Sequence, residues 1–178
     1  MFEVQKYSGM ANVKMKNRLL ILMALFTALS AVGAAIKIPA IVGSVAFDVF
    51  PALLAASLIG SGPGAVVGAL GHVLSASIAG FPLGPMHLFI AVEMAVIVYL
   101  FGVLYNKKKK LSASLLFIFL NAFAAPLPFI FIMNLAFFVA LAPSLLIGSI
   151  INTVMALVVI PRLKVLVNKE SMNRDVKV

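Results

Sequence analysis

The sequence lacks cysteine and tryptophan, and its 178 residues hold five acidic residues against fourteen basic ones. Without cysteine, disulfides and thiolate metal sites are excluded. Without tryptophan, an aromatic ligand has no indole to stack on. Charged residues are also scarce, at 11% against about 25% in soluble domains, whereas 63% of the residues are hydrophobic. This composition indicates an integral membrane protein.

The apolar segments are continuous, which favours membrane helices over the alternating strands of an outer-membrane barrel. We therefore predict an all-α, integral membrane bundle of six transmembrane helices. A cleaved signal peptide is not expected, because the first apolar run is long and more segments follow it. The helices are predicted at about 19–35, 47–60, 64–79, 86–105, 111–131 and 142–160.

The net charge of +9 is distributed as in a polytopic membrane protein. Thirteen of the fourteen basic residues lie at 6–18, 107–110 and 162–177, and Lys37 is the exception. Basic segments stay on the cytoplasmic side, so this pattern needs no nucleic-acid partner and predicts that both termini are cytoplasmic. The predicted domains are a basic tail at 1–18, a six-helix transmembrane domain at 19–161 and a second basic tail at 162–178.

Glu93 lies in the apolar fourth segment, about 10 Å below its outer end at 1.5 Å per residue. A carboxylate there costs on the order of 2.5–3.5 kcal/mol on insertion scales, so it needs a partner, a proton or water. We expect Glu93 to bind a ligand in an outward-facing pocket; the structural alternative is an interhelical hydrogen bond as a protonated acid. Phe89 shares its predicted face, and His87 lies about 120° away.

Few other polar groups lie in or beside the predicted segments. Asn121 and Asn152 lie near the middle of segments five and six. His72 either hydrogen-bonds a neighbouring helix or contacts a ligand. Asp48 either lies at a helix N-terminus, where the dipole favours an anion, or pairs with Lys37. In all, eight polar groups lie in or beside the predicted segments: Lys37, Asp48, His72, His87, Glu93, Asn121, Asn134 and Asn152.

Small residues recur at helical spacing in two segments. Glycine repeats every four residues from 60 to 68, which predicts a close-packing face in the third segment. In the first segment the face is made of alanine, and it serves either internal packing or docking of a partner's helices. These alanines are Ala24, Ala28, Ala31 and Ala35.

The sequence carries no motif for catalysis. It has no H-E-x-x-H metal pair, no G-x-S-x-G elbow and no G-x-x-x-x-G-K-[ST] phosphate loop. We therefore predict no catalytic residue, no metal and no cofactor, and ATP hydrolysis would have to come from another subunit. The alternative class is a small membrane enzyme or a self-sufficient secondary carrier that uses His72, His87 and Glu93.

Six short helices in under 200 residues, the alanine face and the polar residue on the fourth helix resemble a known family. It is the substrate-binding S component of energy-coupling-factor (ECF) vitamin transporters. The similarity is strongest at 46–87, AFDVFPALLAASLIGSGPGAVVGALGHVLSASIAGFPLGPMH. The resemblance implies a protein of the bacterial or archaeal cytoplasmic membrane that binds a vitamin or precursor from outside. It also implies a scaffold subunit with two ATPases as partners, and toppling in the membrane to release the cargo.

The resemblance also implies roles for residues of this chain. The loop at 36–46 would be a gate over the site. Residues 46–87 are similar to a branch associated with cobalamin precursors, in particular α-ribazole; riboflavin, biotin, pantothenate and queuosine precursors stay open as cargo. The alanine face, Ala24, Ala28, Ala31 and Ala35, would dock on the scaffold. The substrate-binding residues would be Glu93, His87, Asn121, Asn152, His72 and Phe89.

Overall fold

The computed structural model describes the backbone of residues 2–39 and 44–175, and the side chains of 13, 15–37 and 46–165. This part of the chain is nearly all helical. Two short strands form an antiparallel hairpin within the predicted gate, whose residues 40–43 lie outside the described ones. The elements in order are α1 Phe2–Ala35, β1 Lys37–Pro39, β2 Ser44–Ala46, α2 Phe50–Leu58, α3 Ser61–Ile78, α4 Met86–Asn106, α5 Lys110–Phe119, a π-turn Leu120–Ala124, α6 Pro128–Ile132 and α7 Leu135–Asp175.

The prediction of a six-helix membrane bundle is confirmed, because α5, the π-turn and α6 together form the fifth of six helical segments. Within the described residues, four helices are long and apolar enough to cross a membrane. The other two, α2 and α3, are shorter. The four long spans are Met15–Ala35, Met86–Asn106, Lys110–Ile132 and Leu135–Val165.

Helix α2 begins three residues later than predicted, because residues 47–49, which follow β2, are irregular and bond to α1 and α7 instead. The Phe47 N–H donates to the Gly33 carbonyl oxygen at 3.1 Å. A Cβ at Gly33 would collide with the Phe47 carbonyl, so glycine permits this close approach. The nine residues of α2 span only about 14 Å and fill the inner half of the bundle. There, Asn106 Nδ2 donates to the Ala56 carbonyl at 3.0 Å.

Helices α2, α3 and α4 meet at Ala56, which is fully buried. A Cβ at Gly64 would lie 2.6 Å from the Ala56 nitrogen, and one at Gly102 would lie 3.0 Å from the Ala56 Cβ. Gly68 instead faces α4, where an added Cβ would lie 3.0 Å from Val98 Cγ2. The predicted close-packing face is confirmed at Gly64 and Gly68, which serve two neighbouring helices. It is wrong at Gly60, which is the N-cap of α3 with a φ of 116° and where an added Cβ would meet only Pro63. Helix α3 begins at Ser61 rather than at residue 64, since proline is tolerated in a first turn.

The last two segments differ most from their predicted bounds. The π-turn and a break at 125–127 divide the fifth segment, where two prolines lie close together. Helix α7 begins at Leu135, so the predicted start at 142 is wrong. The reason is local: the Phe137 N–H donates to Asn134 Oδ1 at 2.8 Å, which caps the helix and reduces the connection to a tight turn. The helix then continues through Pro143 and Pro161 to Asp175.

The basic segments at 107–110 and after 161 lie at the same end of the bundle. Lys164 Nζ and Lys110 Nζ lie 5.3 Å and 6.0 Å from the centroid of the Tyr105 ring. Since basic segments stay on the cytoplasmic side, we expect this end to face the cytoplasm. The opposite end, with the hairpin and the 79–85 loop, is then the outer end.

One face of α1 packs into the bundle and the other carries the predicted docking alanines. The packed face includes Phe26, Ser30 and Ala34, which are buried. A Cβ at Gly71 of α3 would lie 2.8 Å from Ser30 Oγ, so the two helices are in close contact there. The alanines do not contribute to this contact surface: Ala24, Ala28 and Ala35 are exposed, and Ala31 is half-buried.

Candidate functional site

A cavity of about 360 Å³ opens in the outer half of the bundle. This volume lies within the range of roughly 300–1,000 Å³ that small-molecule sites occupy. Its walls come from the base of the hairpin, α3, α4, the π-turn and α7. Of the eight polar groups noted in the sequence, seven lie on this wall, and Asn134 instead caps α7. The seven are Lys37, Asp48, His72, His87, Glu93, Asn121 and Asn152.

Glu93 lies on the cavity wall, between Ile90 and Met94 of the same helix. Four buried side-chain atoms of the described residues lack a hydrogen-bond partner, and Glu93 Oε2 is the one on this wall. Leaving such a group unpaired costs about 1–3 kcal/mol or more. The carboxyl group is therefore placed to bind a donor inside the cavity.

Phe89, predicted on the same helical face as Glu93, lies off the cavity wall and is 44% exposed. The face of α4 toward the cavity instead carries His87, Ile90, Glu93 and Met94. Helix α4 is therefore rotated relative to the sequence-based expectation, and the cavity is wide enough to contact both His87 and Glu93. The binding role of Phe89 stays a prediction.

His72 and His87 form a pair across the α3–α4 contact. His72 Nε2 lies 3.2 Å from His87 Nδ1, and the Leu83 N–H donates to His87 Nε2 at 3.3 Å. Because His87 Nε2 is an acceptor, the neutral ring carries its proton on Nδ1 and donates it to His72. His72 then carries its own proton on Nδ1. The pair fixes both ring orientations at the wall and ties α4 to the outer loop at 79–85.

Asp48 lies in the connection between β2 and α2, with its carboxyl group toward α3. This group accepts hydrogen bonds from the Ser75 hydroxyl and from the Val49 N–H. Burial raises the pKa of the Asp48 carboxyl above its ordinary value, and these hydrogen bonds oppose the rise. Asp48 does precede a helix, but its side chain does not cap it, since the N-cap residue of α2 is Val49. Ser75 was not anticipated, because helical serines usually bond their own backbone.

Asn152 links the irregular segment before α2 to α7. Its Oδ1 accepts from the N–H groups of Val49 at 3.2 Å and Phe50 at 2.8 Å. Its Nδ2 donates to the carbonyls of Ala46 and Gly148, both at 2.9 Å. The side chain is 3% exposed, and these four bonds use its full hydrogen-bonding capacity. Asn152 lines the cavity, but its bonds hold the segment that follows the gate.

Asn152→Asp is expected to destabilise the protein by about 2–5 kcal/mol, because two donors are lost and an oxygen faces two carbonyls. Thermal unfolding in detergent, followed by circular dichroism because tryptophan is absent, measures this effect. Asn134→Asp makes the same change at the α7 cap, where aspartate caps as well as asparagine, and should unfold at the wild-type temperature. Equal unfolding temperatures for wild type and Asn152→Asp would show that these four bonds do not secure the segment.

Asn121 lies in the π-turn, and its Nδ2 donates to Ser149 Oγ at 2.8 Å. Ser149 Oγ in turn donates to the Leu145 carbonyl at 2.6 Å. This chain of bonds joins the fifth segment to α7 behind the cavity and leaves the Asn121 carbonyl oxygen for a ligand. Ser149 was not anticipated from the sequence, because its contact with Asn121 depends on the π-turn, which no local motif predicts.

Residues 18–170 match the sequence profile of the family described as "ECF transporter, substrate-specific component". The chain belongs to this family. Its fold is similar to a solved structure of the S component of a bacterial ECF transporter, with a TM-score of 0.67 and 18% sequence identity. The match covers 85% of this chain and 98% of that chain. No curated protein matches the sequence.

The resemblance drawn from the alanine face and from residues 46–87 is therefore confirmed. As an S component, the protein is a membrane-embedded transporter subunit that gives a transporter its substrate specificity. The outer cavity, with most of the intramembrane polar groups on its wall, is the candidate substrate site of this S component.

Proposed function

We propose that this S component captures a vitamin or vitamin precursor from outside the cytoplasmic membrane of a bacterium or archaeon, with α-ribazole as the best candidate. The observation that carries the proposal is the convergence of seven polar groups on one outer cavity. Among them, Glu93 presents a buried oxygen without a partner. Polar groups are costly in a membrane, so their concentration at one cavity favours ligand binding over seven separate structural roles.

The chemistry of the wall suits a flat base that carries a sugar. The imidazole rings of His72 and His87 offer aromatic surface, and Phe129 of α6 adds an apolar ring to the same cavity. Glu93 and the Asn121 carbonyl can accept hydrogen bonds from sugar hydroxyls. Asn152, whose bonds are all used within the protein, would contribute by holding the entry to α2 beneath the gate.

We further propose that separate subunits energise transport. The sequence has no phosphate-binding loop for ATP. The exposed alanines of α1 form a surface of small side chains on which helices of a membrane scaffold subunit can pack closely. That scaffold would carry the two ATPases.

The direct test is mass spectrometry of small molecules that remain bound after purification in detergent, followed by calorimetric titration with α-ribazole. A retained vitamin or precursor, displaced by α-ribazole, would support both the function and the cargo. The alternative is a self-sufficient carrier in which His72, His87 and Glu93 relay protons. Uptake into liposomes that contain only this chain would favour the carrier and overturn the proposed dependence on ATPase subunits.

Glu93→Gln is expected to weaken α-ribazole binding about ten- to hundred-fold, because a hydrogen bond to a charged group is worth about 1.5–3 kcal/mol. Calorimetric titration gives the dissociation constant. Glu170→Gln makes the same change in the C-terminal basic tail and should bind like the wild type. Unchanged affinity in Glu93→Gln would give Glu93 a structural role instead.

A further inference from the structure

We infer that the cavity selects a neutral or cationic ligand that donates hydrogen bonds, and that it discriminates against ligands carrying a carboxylate. The inference rests on the proposed capture function and deepens it by naming the chemical class of the ligand. The inference depends on which hydrogen-bonding groups of the cavity wall already form bonds within the protein and which do not.

Several donors on the wall are bonded within the protein, and three remain: the His72 Nδ1–H, the second N–H of Asn121 and the Lys37 ammonium at the exposed edge. Both N–H groups of Asn152 go to backbone carbonyls, and His87 donates its Nδ1 proton to His72. The Ser75 hydroxyl bonds the Asp48 carboxyl group. The Ser149 hydroxyl donates to the Leu145 carbonyl. These four side chains therefore have little left to offer an anion, which needs donors on several sides.

Acceptors on the wall remain available. The Glu93 carboxyl group has a buried oxygen without a partner. Asn121 lines the cavity and uses one N–H for Ser149, which leaves its carbonyl oxygen and its second N–H for a ligand. A bound molecule that brings hydroxyl or amine groups would satisfy both acceptors. A carboxylate, which only accepts, would leave both unpaired at a cost of about 1–3 kcal/mol for each buried group.

The charged groups on the wall also disfavour a ligand that carries a carboxylate. Two carboxyl groups, Asp48 and Glu93, line the cavity against one ammonium group, Lys37, whose side chain is exposed. Burial disfavours negative charge here, as the raised pKa of the Asp48 carboxyl indicates. A ligand carboxylate would be buried in the same surroundings and would meet a positive group only at the solvent-facing edge of the cavity. Among the cargoes that the sequence leaves open, this disfavours biotin and pantothenate and favours ribosides and polyols.

The test compares ligand pairs that differ only in this group: α-ribazole and its 5′-carboxylic acid, panthenol and pantothenate, and biotinol and biotin. Dissociation constants are measured by calorimetric titration of the full chain in detergent. In each pair that binds, the alcohol should bind at least tenfold more tightly than the acid. Glu93→Gln should reduce this ratio at least threefold, whereas a purely structural role of Glu93 would weaken both members equally and leave the ratio unchanged.

The outcomes separate the inference from the proposed function. An acid that binds as tightly as its alcohol, or an unchanged ratio in Glu93→Gln, overturns the inference and leaves vitamin capture standing. If no member of any pair binds and purified protein retains no small molecule, the capture function itself is wrong, and the inference fails with it.

Discussion

Replacing Gly64 with leucine is expected to abolish folded protein. A Cβ at this position already lies 2.6 Å from the Ala56 nitrogen, which is backbone of α2 and cannot rotate away. Overpacking a core usually costs about 1–3 kcal/mol. Here the cost should be higher, because α3 must separate from α2, and Gly102 of α4 packs against the same alanine. Even Gly64→Ala should lower the unfolding temperature.

Gly62 provides the matched control, two residues earlier in the same helix. Nothing lies within 4 Å of a Cβ built there, and the residue is exposed. Gly62→Ala should unfold near the wild-type temperature, because the higher helix propensity of alanine is opposed by Pro63, which disfavours the α conformation of a preceding residue that carries a Cβ. Size-exclusion chromatography and circular dichroism in detergent measure both variants. Monodisperse, helical Gly64→Leu with a wild-type unfolding temperature would contradict the close approach at Ala56.

The positions of the helices could be predicted because each is a continuous apolar run. The glycine repeat of the third segment likewise predicted close packing, since Gly64 and Gly68 have no side chain to fill the gap. The start of α2 could not be predicted. It depends on bonds from Asn152 to Val49 and Phe50, about a hundred residues earlier in the chain. A local sequence pattern cannot predict a hydrogen bond between residues that lie about a hundred positions apart.

The candidate site was predictable in composition but not in geometry. The cost of polar groups in a membrane identified Asp48, His72, Glu93 and their neighbours as residues that need partners. It did not fix the rotation of α4, which follows from its contact with α3 at Gly68. With the rotation expected from the sequence, Phe89 would line the cavity, whereas Met94 lines it in the structure. The amphipathic signal that would set rotation is weak here, because both lipid and protein interior are apolar.

Replacing Ala28 with tryptophan is expected to prevent assembly with the scaffold and ATPase subunits while ligand binding is retained. Ala28 is exposed, on the face of α1 opposite the buried Phe26 and Ser30. An indole there would meet no neighbour within this chain, so the fold should survive. It would, however, hold an approaching helix away from the small-residue surface on which close packing depends.

The comparison needs a substitution of equal size on another exposed helix face. Ala140 of α7 is also exposed, and Ala140→Trp should assemble like the wild type. Each tagged variant is co-expressed with the scaffold and ATPase subunits of the same organism, and the purified complex is quantified. Retained ligand in Ala28→Trp separates lost docking from misfolding. If Ala28→Trp and Ala140→Trp recover equal amounts of complex, the alanine face is a lipid-facing surface and docking uses another helix.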